Sequence, residues 1–521
     1  MLSTRTKFGI GAVALALLTL QPLTVQAQQD GALPEMSAIE QAWKREDFVF
    51  VRAGLQQLAE QTDNPLAHYR FGRVLLEGRG GPVDVPGAVV WLQRAVDANH
   101  RQAATLLARV YLSQMPGGPE RNEPKAAELF NKSATRGDAE AQYYLGLLYL
   151  NGVGVEKQPR QAFNWMLAAA EQQYLEAQYE LARMYSKGIG TGENPQETLR
   201  WLTRAADDGH AGAQFFLALA MDSGKGAPKN RDAALGWYRR SAEAGHMPAQ
   251  RVLGQKYLSG DGVKADVSEA TRWLKAASNA GDLVSIYLMG TVYRGDYDLP
   301  ANPEQAWELF SLASENNFAM ATTALAGMLE NGQTGAPDLE QAVKLYRTAV
   351  SQGDPQAELI LGRLAGEGKL EGRAAPHRVI PWALAAADAG DEKALDWLVA
   401  QADGGLRAAQ SAYGQWLVEQ GESEGAVKYL RQAAEAGDIN AQYQLAMMLT
   451  TGDGIGQDYV WAHAWMNIAA AGGHQEAAQK RSVLNDLMTP EQVAEAQAQA
   501  RAFFKAARQD GPVTNATDQG R

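Results

Sequence analysis

The sequence predicts an all-α chain of stacked helical hairpins. Three observations carry this: residue types recur at a fixed spacing of 36, each repeat holds two segments with helical apolar spacing, and glycine-bearing turns join those segments. A single hairpin of this size cannot bury its apolar face alone. Stacked neighbours can, and the result is an α-solenoid.

The period shows in four registers. Ala141, Ala177, Ala213, Ala249, Ser285, Ala321 and Ala357 form one, and Leu145, Leu181, Leu217, Leu253, Met289, Leu325 and Leu361 a second. Gly146, Ala182, Ala218, Gly254, Gly290, Ala326 and Gly362 form the third, and Trp165, Trp201, Trp237, Trp273, Leu309 and Leu345 the fourth. Small residues let two helices approach closely, and the large ring fills the wider gap beside them.

Within one unit the elements follow in order. Ala141, Leu145, Leu148 and Tyr149 fall at i, i+4, i+7 and i+8, one face of a first helix. Ala162, Trp165, Met166, Ala169 and Ala170 repeat the pattern in a second, which Pro159 opens with its fixed φ. Between them lies NGVGVEKQP. Alone, NGVGVEK could cradle a phosphate on backbone N–H groups. Its counterparts at 184–195, 220–230, 256–266 and 328–339 also follow a helix rather than a strand, so the stretch reads as a turn. Gly137-Asp138 closes one unit and opens the next, as do Gly209-His210, Gly245-His246, Gly281-Asp282, Gly353-Asp354 and Gly437-Asp438. Glycine there supplies the left-handed residue that stops a helix.

The pattern GDAEAQYYLGLLYLNGVGVEKQPRQAFNWMLAAAEQ resembles the Sel-1-like repeat, a relative of the tetratricopeptide repeat. The resemblance covers about residues 65–472, roughly ten to eleven units. It implies a right-handed all-α solenoid and a role in holding other proteins rather than in catalysis; several bacterial envelope members help assemble secretion or cell-surface machinery. Units 65–99 and 100–136 are degenerate, and 390–436 departs most, with an extra helical segment and a unit shortened in its turn. WAHAWMNIAAAGGHQEAAQKRSVLNDLMTPEQVAEAQAQA resembles the family's terminal repeat and helical cap, the cap spanning 473–508 with Thr489 as N-cap and Pro490 at the first helical position. Residues 37–64 read as a hairpin closer to a plain tetratricopeptide unit, 28–36 as a linker, and 509–521 as a polar, disordered tail.

The chain has 521 residues, 46% hydrophobic and 21% charged, with a net charge of −12. That acidity argues against nucleic acid as a partner. Residues 1–27 read as a signal peptide: Arg5 and Lys7 make a positive start, Ile10 to Leu20 an apolar run too short to span a bilayer, and Val25-Gln26-Ala27 a small-residue cleavage site. Without those two cations the −12 becomes −14. No later segment is apolar enough for a membrane anchor, and the expected location is a periplasm. The absence of cysteine excludes disulfides, thiolate metal sites, a cysteine nucleophile and a lipid-modified N-terminus.

Catalytic signatures are missing except for one match to G-x-S-x-G, Gly421-Glu422-Ser423-Glu424-Gly425. The segment before it reads as a helix, whereas a nucleophile elbow needs a strand. His100, His210, His246 and His474 share the corner position, which spaces them about one helix diameter apart, on the order of 10 Å, too far to share a metal ion. No enzyme activity, cofactor or metal is expected. The expectation is an exported adaptor that binds a protein or extended peptide on its concave surface. A polysaccharide-binding component of an export system is the alternative, since exposed Tyr and Trp rings stack on sugars.

The candidate binding strip is the face of the first helices opposite the Ala141 and Leu145 registers. One register gives Tyr143, Tyr179, Phe215, Arg251 and Tyr287; the next gives Leu147, Arg183, Leu219, Gln255 and Thr291. Tyrosine and arginine carry much of the energy at interfaces. The same registers also suit rings that pack against the neighbouring repeat, and both readings stand at this point.

Overall fold

The computed structural model describes residues 33–509. The signal peptide expected at 1–27, most of the 28–36 linker and the tail beyond residue 509 lie outside the described residues. Among the described residues there are twenty-seven α-helices and no strand. The chain divides into two compact units, Met1–Val252 and Leu253–Arg521, the division falling inside the helix Met247–Ser259.

The first unit holds six hairpins in succession: Met36–Lys44 with Phe48–Gln61, Pro65–Glu77 with Val85–Asp97, Arg101–Leu112 with Glu123–Ala134, Ala139–Asn151 with Pro159–Glu171, Leu175–Lys187 with Pro195–Asp207, and Ala211–Ser223 with Arg231–Glu243. From Pro65 on, each helix packs chiefly on its hairpin partner and less on the neighbouring hairpin, whereas Phe48–Gln61 packs more on Pro65–Glu77 than on Met36–Lys44. The second unit continues the pattern through Leu283–Arg294 with Pro303–Glu315, Ala319–Glu330 with Leu339–Ser351, and Pro355–Gly366 with Pro376–Asp388. A single helix, Glu392–Asp403, then packs on the hairpin before it and on Arg407–Glu419 after it. Two more hairpins follow, Arg407–Glu419 with Ser423–Glu435 and Ile439–Thr451 with Tyr459–Ala471, then the helices Gln475–Asn485 and Pro490–Gln509. Thr489 and Gln492 close the start of that last helix reciprocally, Gln492 N–H to Thr489 Oγ1 at 3.3 Å and Thr489 N–H to Gln492 Oε1 at 2.9 Å.

The hairpin Ala139–Glu171 shows why the sequence folds this way. Asp138 caps the first helix by accepting from the Ala141 N–H at 2.9 Å. Ala141, Leu145 and Leu148 bury one face of that helix, and Ala162, Met166, Ala169 and Ala170 bury the facing side of the second. Gly152 adopts φ 73° and ends the first helix. The turn is then tied by Gln158, whose N–H reaches back to the Tyr149 carbonyl at 2.9 Å. The same tie recurs at Asn194 to Tyr185 (3.0 Å), Asn230 to Met221 (2.8 Å) and Asp458 to Leu449 (2.9 Å). In those copies the tied residue also caps the second helix with its side chain.

The second turn glycine does more than bend the chain. At Gly154 (φ 69°) a Cβ would stand 2.3 Å from the Glu123 carbonyl oxygen, at the start of the preceding unit's second helix. The turn therefore nests against backbone, and only glycine leaves the room. The corner position, by contrast, tolerates other residues: Asn99, Gln173 and Asn317 hold positive φ there without a glycine. Where the turn shrinks to 420–422 the paired glycines have no place, and Glu422 N–H closes directly on the Leu417 carbonyl at 2.8 Å.

These two glycine environments predict different mutational costs. Gly137 (φ 81°) has open space around its missing Cβ, so Gly137→Ala should cost only the left-handed backbone penalty, about 1 kcal/mol. Gly154→Ala adds a collision with fixed backbone and should cost at least about twice as much. Urea midpoints of the two variants measure the difference, and equal midpoints would contradict the nesting.

Candidate functional site

The junction between successive repeats sets what the surface can offer. In most repeats the fifth residue of the first helix meets the N-cap residue of the next first helix; Thr105 instead bonds to Ser133 at 2.8 Å. In the first unit, Tyr69 stacks on His100 with ring centroids 4.5 Å apart, Tyr143 packs on Tyr174 at 5.1 Å, Tyr179 on His210 at 4.3 Å and Phe215 on His246 at 5.1 Å. In the second, Tyr287 packs on Phe318 at 5.5 Å and Tyr443 on His474 at 4.1 Å. Where the fifth residue is a small hydroxyl, the cap is aspartate: Ser411 donates to Asp438 at 2.9 Å, and Thr323 donates to Asp354. In these eight junctions the pairing is aromatic with aromatic or hydroxyl with carboxylate.

The cap residues serve their own helices as well. His100, His210 and His474 accept through Nδ1 from the backbone N–H three residues on, at 3.3, 3.0 and 3.2 Å. Their imidazoles thus act as neutral acceptors, with the Nδ1 lone pair committed to the helix end.

A buried glutamine completes the junction. Gln142, Gln214 and Gln250 in the first unit each donate Nε2–H to the backbone carbonyl eight residues earlier, at 3.1 Å. Gln410 and Gln442 do so in the second, at 3.2 and 3.1 Å. The acceptor is one of the last carbonyls of the preceding helix, which that helix cannot satisfy itself. Gln178 differs: fully buried, it donates to Asp208 Oδ2 at 2.9 Å. This glutamine is missing from the reading of the sequence above, although Gln142, Gln178, Gln214 and Gln250 follow one another at the same 36-residue step.

The candidate strip residues are dispersed along these junctions. Tyr143, Tyr179, Phe215 and Tyr287 are half-buried, each with its ring against the next repeat's cap. Burial pushes the Tyr143 phenol up to about 12 and raises Tyr179 and Tyr287 too. Leu147 packs partly buried against the core of its own and the following repeat. Arg183 is exposed, held by Glu180 through two contacts at 2.7 Å. Arg251 is half-buried in Met247–Ser259. Beside Tyr179 and Arg183 the surface opens into a groove of about 990 Å³. Its far wall carries Phe216 and Leu219, 44% and 45% exposed.

The residues that suggested chemistry have structural posts. Ser423 is the first residue of a helix that follows a helix and a short turn; its hydroxyl donates to Asp453 at 3.0 Å. Among the described residues no group of three or more His, Asp or Glu side chains is placed to hold a metal ion. Second-helix tryptophans lie under arginines: the Arg94 guanidinium stands 4.5 Å from the Trp91 ring, Arg240 4.7 Å from Trp237 and Arg272 4.3 Å from Trp273. Trp201 is 3% exposed and donates to Glu197 at 3.1 Å. Trp461, 43% exposed and 6.3 Å from the Trp465 ring, is the one exposed tryptophan among the described residues, the others being half-buried or buried. No helix among the described residues is long and apolar enough to cross a membrane.

Comparison with known proteins gives a consistent family pattern. The Sel1 repeat matches residues 65–100, 101–138, 139–174, 175–210, 211–246, 248–282, 283–318, 319–354, 408–438 and 439–474. The stretch 355–407, with its hairpin and single helix, lies outside those matches. A crystal structure of a protective antigen present in uropathogenic Escherichia coli strains, displaying an SLR fold, is 24% identical and aligns with a TM-score of 0.59 over 90% of this chain and 99% of its own. A Sel1 repeat protein from Oxalobacter formigenes is 25% identical, with a TM-score of 0.42 over 46% of this chain and 95% of its own. Among curated proteins, chitin synthase regulatory factor 3 of Schizosaccharomyces pombe is 32% identical over 87 residues, 17% of this chain and 9% of that relative's length.

The histidine caps predict an acid-sensitive stack. Burial lowers the His100, His210 and His246 imidazoles below their ordinary value. Glu176 and Glu180 oppose this at His210, and Arg101 and Arg70 reinforce it at His100. With the folded pKa below the unfolded one, the unfolded chain takes up protons first. Their contribution is therefore whole above about pH 6.5 and is lost as pH falls below it. The urea midpoint should drop between about pH 7.5 and 5.5, and it should drop less in His100→Asn/His210→Asn, whose caps do not titrate. An identical drop in that variant would contradict the assignment.

Proposed function

The chain belongs to the Sel1-repeat family, and from that premise we propose that it is an exported, non-enzymatic adaptor that holds a partner protein or an extended peptide against the surface of its first helices. What carries this reading is how the polar and aromatic groups are employed. Histidines cap helices, Ser423 opens one, buried glutamines satisfy helix ends, and the tryptophans Trp91, Trp201, Trp237 and Trp273 lie beneath arginines. Chemistry-bearing side chains are committed to stacking, and an extended face with shallow grooves remains for contact. A polysaccharide partner is the weaker reading, because Trp461 is the one exposed tryptophan among the described residues.

Export rests on residues 1–27, where a positive start, a short apolar run and Val25-Gln26-Ala27 meet the physical requirements of a cleaved signal. A periplasm is the proposed destination. Two measurements test the reading. Intact-mass analysis of the protein from an osmotic-shock fraction should place the mature N-terminus at Gln28; an uncleaved chain retained in the cell pellet would contradict export. In-cell cross-linking with the full chain should enrich a defined envelope protein over an unrelated exported control, and failure to enrich one would contradict the adaptor role.

A further inference from the structure

The groove between the helices Leu175–Lys187 and Ala211–Ser223 differs from the rest of the first-helix face in the first unit. Phe216 and Leu219 sit at i and i+3 on one helix, so both side chains stand on the same wall. They are the large apolar side chains left exposed on the repeat first helices of that unit; its others at that exposure, Leu33, Val49, Val83 and Val90, lie elsewhere. Leu199 and Leu202 of the intervening second helix also line the groove. The opposite wall is the row Tyr179, Arg183, Lys187 at i, i+4 and i+8, and the groove closes at one end where Tyr179 stacks on Phe216 with ring centroids 6.2 Å apart. Tyr179 is fixed there by its stack on His210, so the wall is preorganised.

Charge distinguishes the rim from the molecule. The chain carries −12 overall, yet Lys187 and Lys225 flank this groove and neither has an ion-pair partner among the described residues. Arg183 stands between them, its charge offset by Glu180, and Glu193 is the one carboxylate lining the groove. An apolar trough rimmed by two lysines without ion-pair partners, and with a single carboxylate, Glu193, in its lining, suits a ligand with an apolar anchor and flanking carboxylates. A basic or nucleic-acid ligand would meet either these cations or the acidity of the chain.

We propose that this groove binds an extended peptide segment in which aromatic or aliphatic residues are flanked by Asp or Glu. The anchor lies against Phe216 and Leu219, and the carboxylates reach Lys187 and Lys225. This rests on the adaptor reading and specifies the partner's chemistry.

The test pans a random-peptide display library against the full mature chain, then measures selected synthetic peptides by fluorescence polarisation. Selected sequences should combine an apolar core with acidic flanks. Binding should weaken at least about tenfold in Leu219→Asp and in Lys187→Glu/Lys225→Glu, and weaken with added salt. All three positions are exposed, so the variants should keep the wild-type urea midpoint, and that midpoint is measured alongside. Basic consensus flanks, no selected sequence, or unchanged affinity in folded variants would each overturn the proposal. In-cell cross-linking separates the two readings: a partner captured equally by wild type and Leu219→Asp leaves the adaptor intact and removes this groove, whereas no partner with either removes the adaptor.

Discussion

The recurrent contact that joins successive repeats is the grip of a first helix's fifth residue on the N-cap of the next first helix. A helix start is the place where backbone N–H groups lack partners, and the cap residue can satisfy them while facing the neighbouring repeat. Tyr179 on His210 at 4.3 Å shows both duties: the imidazole accepts from the Ala213 N–H through Nδ1 and offers its ring to the tyrosine. The corner therefore favours residues that pack on the preceding repeat; His210 and Asp438 there also cap, whereas Tyr174 and Phe318 pack without a side-chain cap bond. This is why its chemistry alternates as pairs, Tyr443 with His474 but Ser411 with Asp438.

From that contact follows the role of the other recurrent residues. The buried glutamine satisfies the end of the preceding helix while the cap satisfies the start of the next, so one corner resolves two helix termini. Gly154 lets a turn lie against the preceding unit's backbone. Such nearest-neighbour terms repeat along each unit, and stability accumulates repeat by repeat rather than in one central core. The arrangement also gives structural posts to residues that suggested chemistry: His100, His210 and His474 have lone pairs committed to helix caps, and Ser423 begins a helix.

Much of this was legible in the sequence. The 36-residue step exposed the hairpins, because the buried Ala141 and Leu145 registers cannot drift without losing the core. The turn around Gly152 was also legible, since a left-handed helix end has a residue preference. The junction pairing was not. Its partners stand 31 residues apart in the regular copies, off the 36-residue register, and the link becomes visible only when one repeat is laid on the next. The buried glutamine shares the 36-residue period, but a polar side chain alone does not signal burial, which requires the orphan carbonyl it meets. The strip registers allow two readings, and the rings of Tyr143, Tyr179, Phe215 and Tyr287 are half-buried against the next repeat's cap. The groove beside Phe216 was invisible because adjacent registers, not one register, build it.

The most direct test is a double-mutant cycle at one junction, Tyr179→Ala and His210→Asn singly and together, read as urea-denaturation free energies. The asparagine keeps the helix cap and removes the stacking partner. If the junction is a true pairwise contact, the two changes should be coupled by about 0.5–1.5 kcal/mol, with the double variant less destabilised than the sum of the singles. Strict additivity would mean that the tyrosine and the cap act independently, and would contradict the account.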